Sequence, residues 1–493
     1  MRRSVLAFLV WLLSISCTST QTITILHFSD YHSHAAPFFS EGERDAAGIA
    51  RAVAYLEPHA TRDDTLVFSG GDMLNRGAPP WSDKYRCTEW PWLNGIVDAM
   101  AFGNHDADYG SAVFSDCRDS IDYPILSANA TGPSGIPIFM HDGKSYVVFE
   151  RRGVRIGVFA LAGSTFEALV TESNTPVAGV RFAPRLETAR EVVRALREEQ
   201  NVDAVVLIGH ADTTEDEELA RRVPGIDLIL GTHSHIRSDL RRIEGTATWM
   251  ISPWQYLGYI SRVEMTFDRG RLTGVRGELV RMGHDRPEDP ELAERVASMQ
   301  RSLKSDPQYA PLFEVIGHLD YGLSFDGINE GSTPLGTFVM DVVRQAAEAD
   351  VALSTSSSFR GPLPPGVIVT NDLLSALPYD NAIVVFEMSG GDLGTLLRRV
   401  ASLRGTDSFC QMSGGTIDLR HDGAPIDPDA TYTVATTDYL AKVSSAYRDL
   451  FRDLPANETG RTVRSEVRDA LRRRGNKDLP SPQEEGTSVV PMY

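Results

Sequence analysis

Basic side chains are in short supply: 48 Lys and Arg stand against 67 Asp and Glu, a formal net charge of −19 over 493 residues. A nucleic-acid partner requires a cationic face, so the composition excludes one. Small phosphorylated molecules stay open, because a few local cations or a bound metal can reverse the field inside one cleft. Cysteine is scarce, with four in the chain, and none has the paired spacing of a structural zinc site. No apolar run reaches the ~20 residues of a membrane-spanning helix. A Gly-rich P-loop and a Gly-x-Ser-x-Gly elbow are both absent. So are internal repeats and long low-complexity tracts.

What is present describes an ordinary globular protein, 42% hydrophobic and 23% charged. Its length exceeds one ordinary core, so two large domains are expected. The N-terminus, MRRSVLAFLVWLLSISCTST, has two arginines, an apolar run from Val5 to Leu13, and then small residues. That is the layout of a secretory signal, read over 1–21, and its apolar run is too short to stay as an anchor. Cys17 raises lipid attachment, but Ser14 stands where such signals carry Leu, so plain export to a periplasmic or extracellular space is the reading. Export permits a disulfide among Cys87, Cys117 and Cys410; Cys87 with Cys117 is the sequence-nearest pair, and three free thiols are the alternative. Residues 476–493 are rich in Pro and polar side chains and read as a loose tail.

Short β-type runs alternate with helical patterns from Thr22 onward, which indicates an α/β fold with a largely buried sheet. Four runs end in polar clusters: Asp30-Tyr31-His32, Gly71-Asp72, Gly209-His210 and Gly231-Thr232-His233-Ser234-His235. GNHDADYG, residues 103–110, adds a fifth. Ligands of open α/β sheets sit beyond the carboxyl ends of the strands. A site for two metals takes roughly six to eight ligands, one carboxylate bridging. Asp30, His32, Asp72, Asn104, His210, His233 and His235 supply that number of N and O donors. His27 reads as packing, and His34 and His59 as loop or surface residues.

These motifs, in this order, resemble those of the calcineurin-like metallophosphoesterases. With the C-terminal half, the chain is similar to the 5′-nucleotidase family, which includes UDP-sugar hydrolases and 2′,3′-cyclic phosphodiesterases. The resemblance implies a four-layer β-sandwich flanked by helices over 22–285, a connecting helix over 286–312, and a second α/β substrate-binding domain over 313–475. It implies two divalent metals, zinc, manganese or similar. One would be held by Asp30, His32, Asp72 and His235, the other by Asp72, Asn104, His210 and His233, with Asp72 bridging. His105, oriented by Asp108, would stabilise phosphoryl charge or protonate the leaving oxygen. Such a pair of metals makes a shared water acidic enough to yield hydroxide for in-line attack on phosphorus.

In the second domain the resemblance implies that Arg360 contacts phosphate or ribose and that Phe409 and Tyr439 sandwich a base; ordinary core aromatics are the alternative reading. There are departures. Asp106 stands where the family usually has Glu, Ser357 and Ser358 replace two glycines, and Lys-Val-Ser-Ser-Ala at 442–446 lacks the family's ribose-binding aspartate, with Ser445 near its place. The expectation is an exported enzyme releasing phosphate from small nucleotides. A cyclic phosphodiesterase, a UDP-sugar or sulfur-compound hydrolase, and a non-catalytic nucleotide binder are the alternatives.

Overall fold

The computed structural model describes residues 20–77, 79–172 and 179–474. Cys17, the rest of the expected leader before residue 20, and the tail 476–493 lie outside them. The first strand, Gln21–Phe28, begins one residue before the start read from sequence.

Gln21–Phe28 sits in the middle of one sheet, parallel to Thr65–Ser69, which in turn runs parallel to Ala99–Ala101. On its other side it pairs antiparallel with Tyr259–Asp268, the first arm of a hairpin completed by Arg271–Arg281. A second sheet has Val154–Ala162, Ala204–His210, Leu228–Gly231 and Trp249–Pro253 as parallel neighbours. Side chains of a strand alternate between faces. Ile23 and Ile25 of the first sheet meet Ile156, Val158, Val206 and Ile208 of the second in one buried cluster. Leu26 and Phe28 point the other way, onto the helices Ile49–Ala60 and Gly110–Asp119. Val192, Val193 and Leu219, on helices Arg185–Arg194 and Thr213–Arg222, cover the outer face of the second sheet. The result is helix, sheet, sheet, helix, the four-layer sandwich expected. Each such fully buried aliphatic side chain contributes about 1.5–3 kcal/mol.

Helix Pro290–Ser305 begins where sequence rules place it, with Pro290 at its first position and Asp289 accepting from the Leu292 amide at 2.8 Å. Beyond it a five-stranded sheet, ordered Cys410–Ser413, Val351–Thr355, Thr431–Thr437, Ala382–Ser389 and Asn457–Thr462, is covered on both faces. Ala352, Ile383 and Ala435 face helices Pro334–Ala346 and Val463–Arg474, while Val351, Leu353 and Val384 face helix Gly390–Ser402. Cys87 and Cys117 form a disulfide with 5.4 Å between their Cα atoms, and Cys410 is free and buried. Among the described residues no helix is long and apolar enough to cross a membrane.

Candidate metal centre

The parallel strands of both sheets deliver their polar clusters to one place. Asp30 and His32 follow Phe28, Asp72 follows Ser69, and Asn104 and His105 follow Ala101. His210 ends its own strand, and His233 and His235 follow Gly231. Five of these residues hold left-handed backbone: Asp30, His32, Asp72, His233 and His235, with φ between 48° and 62°. Such conformations cost about 1–3 kcal/mol each and persist where the surroundings over-determine them. The surroundings here do so. Gly103 approaches so closely that a Cβ would lie 2.3 Å from the Asp72 nitrogen. The buried Asp106 carboxylate accepts from the amides of Gly103, Asp72 and Met73 at 2.8, 3.2 and 2.7 Å, tying the Gly-Gly-Asp and Gly-Asn-His turns together. Burial, reinforced by the neighbouring Asp72, pushes its carboxyl up to about 7.

Donor atoms then converge as two groups, Asp30 with His32 and His235, and Asp72 with His210 and His233, linked by a third that joins His32, Asp72 and His105. The Asp72 Oδ1 accepts from the His105 amide at 2.8 Å. Its Oδ2 lies 3.3 Å from His210 Nε2 and 3.8 Å from His32 Nε2, between the two groups. His210 gives its Nδ1 proton to the Gly70 carbonyl at 2.6 Å, and His32 gives its own to the Leu74 carbonyl at 3.0 Å. Both rings therefore present a bare Nε2 inward, the arrangement a ligating histidine needs. Two buried atoms, His210 Nε2 and Asn104 Oδ1, have no hydrogen-bond partner. Orphans of this kind, in an N/O donor set with a shared carboxylate, fit divalent cations. Burial opposes ionisation of Asp30 and Asp72, but the surrounding histidines hold both below the usual carboxylate range. Burial lowers His233 and His235 to about 4.

His105 also lies within reach of His32 and Asp72 as a candidate donor. Its Nδ1, however, is 2.8 Å from Asp108 Oδ2. Burial works against its charge, yet Asp108 and Asp72 raise it to about 10. A cationic ring held by a carboxylate is a proton donor, not a ligand. Asp108 is anchored in turn by the Arg76 amide at 2.8 Å.

A cavity of about 410 Å³ opens beside this cluster, lined by His105, Asp108, His235, Tyr256 and Tyr379 with three cations, Arg76, Arg360 and Arg464. Those arginines supply locally the positive field that the whole chain lacks. Arg360 Nη1 donates to His235 Nδ1 at 2.7 Å and Nη2 to the Tyr379 hydroxyl at 3.1 Å. Its carbonyl accepts from the Tyr256 hydroxyl at 2.7 Å. Guanidinium only donates, so the His235 proton sits on Nε2, facing His32 Nε2 at 3.0 Å. A cation on that Nε2 needs the proton on Nδ1, so metal and Arg360 are alternative partners of His235.

One expectation changes. Phe409 does not face the cleft: it is 3% exposed, packed among Leu353, Leu393 and Tyr447 in the core, and its carbonyl accepts from the Ser356 amide. Tyr439 is 40% exposed but is not among the residues lining the cavity; the exposed aromatic that lines it is Tyr379, at 44%. Tyr379 lies in the stretch Leu377-Pro378-Tyr379-Asp380-Asn381, to which the sequence reading gave no role. His34 lies in a loop, as read, and stacks on Tyr256 with ring centroids 3.6 Å apart. His27 is fully buried in its strand, as read, and burial drives it down to about 3.

Residues 23–237 match the family described as calcineurin-like phosphoesterase, and residues 315–450 match the 5′-nucleotidase C-terminal domain. UshA of Yersinia enterocolitica is 25% identical over 89% of this chain and 88% of its own length. The trifunctional nucleotide phosphoesterase YfkN of Bacillus subtilis is also 25% identical, over 93% of this chain, which spans only 34% of that protein. The crystal structure of a 5′-nucleotidase precursor from Thermus thermophilus shares the fold, with a TM-score of 0.66 at 23% identity, covering 92% of this chain and 96% of that one. The chain belongs to the metallophosphoesterase hydrolases, a family that uses divalent metals, and carries their 5′-nucleotidase C-terminal domain.

Proposed function

We propose that this protein is an exported phosphohydrolase with two metals that releases phosphate from nucleoside monophosphates. The observation that carries the reading is the cavity in which His105 and Asp108 face three arginines beside the donor cluster. Asp30, His32, Asp72 and His235 would hold one cation, and Asp72, Asn104, His210 and His233 the other. Bound divalent cations supply Lewis acidity, lowering the pKa of a water and neutralising phosphoryl oxygens. Every other part belongs to the chain. Arg360 pairs with the phosphoryl group once it leaves His235, and its planar fork matches two phosphate oxygens at once. His105 Nε2 hands its proton to the departing oxygen while Asp108 keeps the ring oriented and the imidazolium charge favourable. Tyr379 and Tyr439, not Phe409, are the exposed aromatics on which a base can stack.

We take 22–285 as the metal-binding unit, 286–312 as the link and 313–475 as the substrate unit. Export is supported by the leader-like start and by the Cys87–Cys117 disulfide, a bond that persists in oxidising compartments. The test is turnover of the Mn²⁺- or Zn²⁺-loaded mature chain on AMP, UMP, a 2′,3′-cyclic nucleotide, UDP-glucose and a plain aryl phosphate. Fast phosphate release from the monophosphates is expected. Activity on the aryl phosphate alone would leave the metal chemistry standing and remove the nucleotide assignment; binding of AMP without turnover would make the protein a nucleotide-capturing module.

A further inference from the structure

Tyr379, the exposed ring of the cleft, stands on a loop between a helix and a strand. Helix Thr370–Ala376 ends ahead of Pro378, which cannot continue it, and the residue before a proline is kept out of helical backbone, so Leu377 turns away at φ −132° and ψ 72°. The carbonyls that close such a helix have no helical amide to meet. Tyr379 and Asp380 follow, both exposed, before strand Ala382–Ser389 begins. Helix Val463–Arg474 supplies what the loop lacks. Arg464, in its first turn, donates from Nη1 to the Pro378 carbonyl at 2.9 Å and to the Leu377 carbonyl at 3.4 Å, and its Nη2 lies 3.4 Å from Asp380 Oδ2. The guanidinium therefore grips the chain on both sides of Tyr379. One residue earlier, the Val463 amide donates to the Asn381 carbonyl at 3.0 Å and closes the far end of the loop.

The grip decides where the Tyr379 side chain stands. Its hydroxyl accepts from Arg360 Nη2 at 3.1 Å, and the Arg360 guanidinium lies 5.8 Å from the centre of its ring. Arg360 Nη1 is in turn on His235 Nδ1 at 2.7 Å. A chain of direct contacts thus runs from Arg464 through the loop and Tyr379 to Arg360 and the edge of the donor cluster. Packing does little to fix an exposed ring, so its place depends on the backbone beneath it. The ion pair with Asp380 is exposed and contributes little, which leaves the two carbonyls as the hold. A planar fork of five donors suits that task, and the single ammonium of a lysine cannot reproduce it. A ring fixed in advance receives a base without its own ordering being charged to the binding step.

We infer that Arg464 is a positioning residue of the substrate wall: by holding residues 377–381 it keeps Tyr379 against Arg360 and presented to the cleft, and so sets affinity for esters that carry a base more than the rate of phosphoryl transfer. The inference rests on the phosphohydrolase reading above. It assigns a role in specificity to a helix beyond residues 315–450, the stretch that matches the C-terminal domain of the family.

The test is a double-mutant cycle on the metal-loaded chain: wild type, Arg464→Ala, Tyr379→Ala and the double variant, with Arg464→Lys beside them. Each is assayed on AMP and on ribose 5-phosphate, which keeps the sugar and phosphate and lacks only the base. Metal content and thermal melting are read on every protein. Relative to ribose 5-phosphate, Arg464→Ala should raise the KM for AMP about five- to tenfold, with kcat changing less, the worth of about one net hydrogen bond. In the Tyr379→Ala background the same substitution should add less than about twofold, because a residue that acts through the ring has nothing left to position. Arg464→Lys can still reach one carbonyl and should recover part of the affinity; it carries the test if the Ala variant does not fold. Additive effects in the cycle, or equal losses on both esters, would mean that Arg464 meets the substrate itself, and the inference falls. A lowered melting temperature with an unchanged KM for AMP would make the grip purely structural and overturn it as well. Should the wild type cleave ribose 5-phosphate and not AMP, the nucleotide reading and this inference fall together.

Discussion

On the side of the donor cluster every side chain is carried within a few residues of a strand end, and five stand on left-handed backbone. The wall opposite hangs on turns: Arg360 follows the Ser356–Ser358 turn, Tyr379 sits past helix Thr370–Ala376, and Tyr439 opens a helical turn after Thr437. The first side is preorganised for donors a few ångströms apart. The second presents long side chains from loops, the usual way a rigid scaffold varies its ligand. Substitutions on the first side should therefore abolish chemistry, and those on the second should change preference.

The largest effect is expected at Asp72, whose Oδ2 stands between His32 and His210. Asp72→Asn keeps an oxygen for the His105 amide but removes the shared charge, so metal content measured by mass spectrometry should fall at both sites and turnover should follow. Loss of only one metal per chain would show that Asp72 does not bridge. His105→Ala comes next. It should retain the full metal content while kcat falls by about 10²–10⁴, the usual worth of a positioned proton donor. Unchanged turnover would remove His105 from the mechanism.

The opposite wall supplies a matched pair. Tyr379→Ala should raise KM for nucleotides by roughly five- to 150-fold, in line with stacking of ~1–3 kcal/mol per base, and leave the melting temperature nearly alone. Phe409→Ala should do the reverse, destabilising the fold by about 3–5 kcal/mol as a buried aromatic is lost. If the two exchanged phenotypes, the base would stack where the sequence reading put it.

That pair also marks where sequence stopped being legible. The donors could be found because Asp, His and Asn cluster after β-type runs, and strand ends of parallel sheets converge whatever the details of the loops. The α/β class followed from the same runs and the four-layer order from the family resemblance, though the hairpin Tyr259–Asp268 and Arg271–Arg281 beside the first strand was not anticipated. Phe409 and Tyr379 could not be ranked, since residue type says little about which ring a helix such as Gly390–Ser402 will cover. Asp106 looked like a conservative replacement, and its three amide contacts emerge only when two distant turns are brought together.

A last effect, on stability and not on turnover, probes why the donor side is so rigid. Behind it, the fully buried Glu89 accepts from the Trp81 indole at 2.8 Å and from the Tyr31 hydroxyl at 3.2 Å, and Tyr31 is the residue between Asp30 and His32. Burial raises the Glu89 carboxyl from 4.5 to about 7. A carboxyl raised in the fold favours the folded state most when protonated, so its contribution is whole below about pH 4.5 and is lost as pH climbs to about 7. The span corresponds to about 3 kcal/mol. Glu89→Gln keeps the acceptor for Tyr31 and Trp81 without the charge. The difference in stability between variant and wild type should therefore shift in the variant's favour from pH 5 to 7 and level off above. A difference that stays flat over that range would mean Glu89 is ionised inside the fold. The rigidity behind Asp30 and His32 would then rest on a buried anion, as it does at Asp72, instead of on a neutral hydrogen-bonded acid.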